Sequence, residues 1–150
     1  MRILLDTSVA VAGLLSSHPF HGVSVPWLSA AKSGNFEFIF SGHSLAELYA
    51  VLTRLPTQPR ISPDTAGMLI RESILSCARI GVLGGDDYVS LVGEMIEGGK
   101  AGGTIYDAVI AKVAQLWHVD MLVALNVSDF QRVWPGGGAR IVLPQSVAVP

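Results

Sequence analysis

The stretch Arg2-Ile3-Leu4-Leu5-Asp6-Thr7-Ser8, continued by Val9–Leu15, decides the reading of this chain. The apolar run at its start reads as a short buried strand. Asp6-Thr7-Ser8 then offers good helix-capping residues, and Val9–Leu15 continues as a helix. The stretch superficially resembles a signal peptide. However, Asp6 interrupts the apolar run, Arg2 is its only positive charge and no small-residue cleavage site follows, so it is read as structure. A carboxylate placed directly after buried strand residues needs a partner. Asp6 either caps the helix that follows or belongs to a site.

Working outward, the same strand-then-helix rhythm repeats. Val23–Ser33 reads as a helix with Pro26 near its first turn and Gly34 as its stop. Phe36–Phe40 is aromatic and β-branched, hence a strand. Ser44–Leu55 is amphipathic, with Leu45, Leu48, Tyr49, Leu52 and Leu55 on one face and Glu47 and Arg54 opposite. Ser62-Pro63-Asp64 starts a helix running to about Ala78, and Ile80–Leu83 is a strand candidate. Gly84-Gly85-Asp86-Asp87 opens a helix ending near Glu97, and the Gly-rich loop 98–103 leads into a helix over Thr104–Trp117. Met121–Leu125 and Arg140–Leu143 are further strands, with only a short turn expected after Asn126-Val127-Ser128-Asp129. This alternation predicts an α/β fold: a parallel sheet of four to five strands covered by helices on both faces.

The composition agrees. The chain has 150 residues, a typical size for one domain, and residues 1–150 are read as such. Half of the residues are hydrophobic, which is enough for a core. No window approaches the run of about 18 apolar residues that spans a membrane. The single cysteine, Cys77, excludes an intramolecular disulfide framework and fits a reducing, cytoplasmic setting. It reads as a small buried hydrophobe. The formal net charge of −2 does not announce a nucleic-acid binder, so any such role must draw on a local patch, another subunit or bound cations.

In open parallel sheets, ligands bind beyond the carboxyl ends of the strands. Asp6 follows the first strand, Glu47 lies early in the helix after the second, and Asp107 lies in the first turn of the helix after the Gly-rich loop. Asp129 follows the fourth strand. Together they could bring four carboxylates to one sheet edge, a hard-oxygen set suited to Mg²⁺ or Mn²⁺ beside a phosphate. A plainer reading stands beside this. Ser44-Leu45-Ala46-Glu47 and Thr104-Ile105-Tyr106-Asp107 both look like capping boxes, and acids in a first helical turn are favoured by the helix dipole.

These residues also resemble a known family. Leu4-Leu5-Asp6-Thr7-Ser8, Ser44–Tyr49, Ile105–Ala111 and Val123–Phe130 look like the four motifs of PIN domains, in order over nearly the whole chain. The VapC-like branch, the ribonuclease toxins of toxin–antitoxin pairs, is the best match. The resemblance implies a Rossmann-like α/β/α sandwich and a Mg²⁺- or Mn²⁺-dependent endoribonuclease leaving 3′-hydroxyl and 5′-phosphate ends. It further implies a homodimer held in check by a small antitoxin. Asp6, Glu47 and Asp107 match the family's first three acids, and Ser8 matches a small polar position supporting them. The fourth role is shared between Asp129 and Asn126, since many relatives carry Asp where this chain has Asn126; Ala124 likewise stands where Thr is common.

Two other classes stand beside this one. A PIN-like binding module acting through protein partners would fit the acidic charge, although such modules lack the acids that are present here. A phosphoacceptor domain needs an acidic pair after the first strand, and Asp6-Thr7-Ser8 offers one acid. The histidines show no ligand spacing, and His43, nearest the acids, is the one that could contact RNA. Trp27, Trp117 and Trp134 read as core or interface. The 98–103 loop lacks the Lys-Ser/Thr of a P-loop, although Lys100 could touch a phosphate.

Overall fold

The computed structural model describes the backbone of residues 1–150 and every side chain except that of Ala139. Five parallel strands form one sheet in the order β3-β2-β1-β4-β5. They are β1 (Arg2–Leu5), β2 (Glu37–Ser41), β3 (Arg79–Gly81), β4 (Met121–Val123) and β5 (Ile141–Val142). The chain moves outward from β1 through β2 to β3, then returns to the other side of β1 for β4 and β5. The order therefore reverses between β1 and β4, where doubly wound sheets open a crevice for ligands.

Seven α-helices join the strands: α1 (Thr7–Leu14), α2 (His21–Lys32), α3 (Gly42–Arg54), α4 (Pro63–Ile70), α5 (Gly85–Glu97), α6 (Thr104–Leu116) and α7 (Val127–Val133). Strand side chains alternate between the faces of the sheet. Ile3, Leu5, Phe38, Phe40 and Val123 pack with Val9, Trp27, Leu48, Ala66 and Ile74 on one side. Leu4, Ile39, Leu122 and Ile141 pack with Ile110, Ala111, Val113 and Phe130 on the other. Both faces are dry, which is why these strands read as unbroken apolar runs. A slip of one residue would exchange the two faces.

Small residues line the contact between β3 and α6. A Cβ at Gly81 would lie 2.5 Å from Val113 Cγ1, so β3 and α6 approach more closely than any larger residue allows. Ala108, Ala111 and Ala114 of α6 are all buried. Gly102, at φ 64°, turns the chain just before α6, a conformation that a side chain would strain. The indole of Trp27 is fully buried, and its Nε1 donates to the carbonyl of Pro144 at 3.1 Å, tying the C-terminal segment to the core.

Several boundaries differ from the sequence reading. Helix α3 begins at Gly42 because Ser41, the last residue of β2, caps it: its Oγ accepts from the N–H of Ser44 at 2.8 Å. Ser44 is therefore inside the helix and Glu47 is one turn deeper than expected. Helix α4 gives way at Ile70 to a π-helical segment, Arg71–Leu75, in which Ser76 N donates to the carbonyl of Arg71 five residues back. Ile70 and Ile74 remain buried in the same core through this widened turn. The turn expected after Asn126 is a full helix, α7, anchored by the fully buried Phe130. Among the described residues, no helix is long and apolar enough to cross a membrane.

Candidate active site

Asp6 is the last residue before α1 and closes that helix. Its backbone is extended (φ −71°, ψ 159°), and its Oδ2 accepts from Ser8 N at 3.0 Å and from Ser8 Oγ at 2.5 Å. The capping reading of Asp6 therefore holds, and the same side chain also lines a cavity. The Ser8 hydroxyl in turn accepts from Leu125 N at 3.1 Å, tying the start of α1 to the end of β4. Asp6 N donates to Val123 O at 2.9 Å and extends the β1–β4 ladder by one bond. The Asp6 side chain is buried, and desolvation raises its carboxyl above the ordinary range; the bonds from Ser8 oppose that rise, and the nearby Glu47 adds to it.

Glu47 reaches toward Asp6 from the second turn of α3. Its Oε2 accepts from Thr7 Oγ1 at 2.9 Å and lies 3.7 Å from His43 Nε2, one turn earlier on the same helix. Asp107 enters from the first turn of α6. Thr104 is already within that helix and makes no side-chain cap, so the capping-box reading does not hold for Asp107. Partial burial, then the charges of Asp6, Asp129 and Glu47, push the Asp107 carboxyl up to about 6, with the Asn126 amide opposing them.

Asp6, Glu47 and Asp107 share one open cavity of about 250 Å³, whose wall also contains Thr7, Ser8, His18, Tyr106 and Asn126. Asp129 acts on this cavity from behind. It does not line it, and its side chain is 41% exposed, with Oδ2 accepting from Asn126 Nδ2 at 3.4 Å and Oδ1 paired with Arg132. Asn126 stands in front, and its Oδ1 is buried without a hydrogen-bond partner among the described residues. An orphaned buried carbonyl beside mutually repelling carboxylates is a donor set that a hard cation would satisfy. Among the described residues, no three His, Cys, Asp or Glu side chains converge tightly enough to hold a metal ion alone. Mg²⁺ needs no such group, since it takes one or two carboxylates directly and fills its shell with waters and phosphate oxygens.

The residues that sequence reasoning passed over are Thr7, His18 and Tyr106. Thr7 and Tyr106 each adjoin an acid in sequence, which was a usable signal. His18 comes to the cavity only through the turn after α1, where its Nδ1 accepts from Phe20 N at 3.2 Å. Lys100 does not line the cavity; its stem lies near Gly98. Arg54 is exposed and lines a neighbouring groove that shares Glu47. Cys77 is half-buried and packs against the core, and burial raises its thiol, in keeping with a structural residue.

Comparison with known proteins agrees with this architecture. A sequence model of the PIN domain matches residues 2–88, a span that holds Asp6 and Glu47 and stops short of Asp107, Asn126 and Asp129. Ribonuclease VapC27 of Mycobacterium tuberculosis is 33% identical over 112 residues, 75% of this chain and 76% of that protein. Ribonuclease VapC40 of the same species is 30% identical over 110 residues, covering 73% and 76%. The crystal structure of M. tuberculosis VapC20, a Sarcin-Ricin loop cleaving toxin, superposes with a TM-score of 0.62 at 17% identity, over 80% of this chain and 86% of that one, which is a likeness of fold. On the family match, the two relatives and the five-stranded parallel sheet, this chain belongs to the PIN-domain family, on its VapC-like branch.

Proposed function

We propose that this protein is a divalent-metal-dependent endoribonuclease, the toxin of a toxin–antitoxin pair, hydrolysing RNA phosphodiesters. The observation that carries the reading is the electrostatics of one cavity, where Asp6, Glu47 and Asp107 meet and the Asp107 carboxyl is held near 6 by burial and neighbouring carboxylates. Such crowding is unfavourable unless a cation offsets it. The kinship with ribonucleases VapC27 and VapC40 supports RNA as the substrate.

In this reading Asp6 and Asp107 would hold Mg²⁺ or Mn²⁺, with the unpartnered carbonyl oxygen of Asn126 as a further ligand. When bound there, the cation supplies Lewis acidity toward the phosphate and an acidified water. Glu47, oriented by the Thr7 hydroxyl, would take the proton from a water attacking the phosphorus, while the P–O3′ bond breaks and the departing O3′ takes a proton from solvent. Ser8 fixes the Asp6 carboxylate against the end of β4, so the ligand is aimed before the substrate arrives. Asp129 positions Asn126 through its amide. The same kinship supports a small VapB-like antitoxin as the protein partner, a homodimer as the working form, residues 1–150 as one functional domain and the cytoplasm as its place of action.

The decisive experiment pairs binding with cleavage. At a hundredfold excess over Kd, a bound cation stabilises by about 2.7 kcal/mol, or roughly 5–10 °C in Tm for a chain of this size. Mg²⁺ or Mn²⁺ should raise the wild-type Tm by that order, and Asp6→Asn should abolish the rise. Asp107→Asn should stop metal-dependent RNA cleavage while keeping the native circular dichroism spectrum. A melting curve indifferent to both metal and Asp6→Asn would sink the metal site, and undiminished cleavage by Asp107→Asn would move the chemistry elsewhere.

A further inference from the structure

Beside the acids lies an aromatic pair that the chemistry above does not use. The rings of His43 and Tyr106 stack in parallel, with centroids 5.0 Å apart and planes 9° from one another. They come from different elements, α3 and α6, and each neighbours a site acid: Tyr106 precedes Asp107, and His43 sits one turn before Glu47. Tyr106 forms part of the wall of the acidic cavity. His43 lines a second cavity of about 450 Å³ on the far side of the pair, together with Val82, Leu83 and Tyr88.

Tyr106 is 56% exposed, and its hydroxyl makes no hydrogen bond to any described residue. Core packing does not explain a large ring left bare at the mouth of a polar cavity. Its inner face is braced by the imidazole, so the ring has little rotational freedom left to lose on binding. Tyr88 and Val82 expose further apolar surface around the second cavity. A chain leaving the acids along this wall would meet a flat ring and then an apolar recess.

Resting on the ribonuclease reading, we propose that Tyr106, braced by His43, is a stacking platform for an unpaired base of the RNA strand next to the phosphate held by the acids. Every base has a π-face, so the platform is tolerant of base identity and selective for strand state. A base within a duplex cannot present its face to a side chain, whereas one splayed from a loop or single strand can. The device therefore selects single-stranded or looped RNA. It also supplies affinity that the net charge of −2 does not.

The test uses the full chain and a short single-stranded RNA carrying 2-aminopurine, whose fluorescence is quenched on stacking. Binding is followed with Ca²⁺ in place of Mg²⁺, and cleavage with Mg²⁺ or Mn²⁺. The expected result is quenching by the wild type, a loss of about tenfold or more in RNA affinity with Tyr106→Ala, and near-normal affinity with Tyr106→Phe. The cleavage defect of Tyr106→Ala should fall on KM more than on kcat, with Tm unchanged. Wild-type cleavage with Tyr106→Ala indistinguishable from wild type would overturn the platform, leave the ribonuclease reading standing and return this face to a protein partner. Tyr106→Phe as defective as Tyr106→Ala would also overturn it, since the hydroxyl would then be the contact. Quenching without cleavage would keep the platform and remove the ribonuclease reading, and a wild type that neither binds nor cleaves would overturn both.

Discussion

Asp107 shows how a single side chain reports the state of its surroundings. Its carboxyl has an ordinary value of 3.8 in the unfolded chain and about 6 in the folded one. Between those values the native state holds a proton that the unfolded state has released, so stability falls as pH rises across that window and stays lower above it. The raised carboxyl of Asp6 acts in the same direction. Glu37, lowered by its bonds to Arg2 and Arg79, works oppositely, but its contribution is lost only as pH falls below its ordinary 4.5. Without divalent cations, the wild-type Tm should therefore drop between about pH 4 and 6.5, and Asp107→Asn should flatten the drop and melt higher than wild type at pH 7. Melting curves in chelator from pH 4 to 8 would check this; an Asp107→Asn variant that keeps the wild-type slope would mean that burial and the neighbouring acids do not raise the Asp107 carboxyl in the folded chain. The positions of Asp6 and Asp107 were legible in the sequence because a charge after a buried strand, or at the mouth of a helix, has few places to go. The His43–Tyr106 stack was not, because it depends on how α3 and α6 cross.

At the scale of elements, the sequence located every strand and nearly every helix, since burial on both faces writes unbroken apolar runs. Ends were less readable. Ser41 and Ser44 stand three apart, and either could cap α3. What selects Ser41 is its place at the buried end of β2, a tertiary fact. The helix α7 was hidden for a related reason: its seven residues hold together through Phe130 in the core rather than through a periodic pattern. The contact between β3 and α6 gives a test at this scale. Gly81→Ala would place its Cβ 2.5 Å from Val113 Cγ1 and 3.1 Å from Trp117 Nε1. Overpacking of this kind costs about 1–3 kcal/mol, which is roughly 2–10 °C in Tm here. Chemical denaturation should show a lower midpoint with an unchanged slope. A midpoint equal to wild type would show that α6 can retreat freely from the sheet.

For the molecule as a whole, charge is the constraint. The net charge is −2, and no Lys or Arg lines the acidic cavity. On the proposed reading, affinity for RNA then rests on cation-assisted phosphate contact and stacking. Its dependence on monovalent salt should be shallow, with a log–log slope of about −1.4 to −2.1, as for two or three neutralised phosphates on a single strand. Binding titrations at a series of KCl concentrations read this directly, and a slope steeper than about −4 would reveal a basic surface supplied elsewhere, for instance by a second copy. The placement of β1 has one more result. Asp6 stands at the end of the central strand, and its amide is bonded to Val123. Glu47 and Asp107 stand on early helical turns nearer the surface. The first carboxylate is thus set in backbone that opens only when the sheet itself opens, while the other two are carried by helices α3 and α6 packed against that sheet. One carboxylate therefore belongs to the sheet and two belong to its helices. A regulator that displaced α3 or α6 as a body would part the acids with the sheet intact, whereas one acting on Asp6 would have to open the sheet.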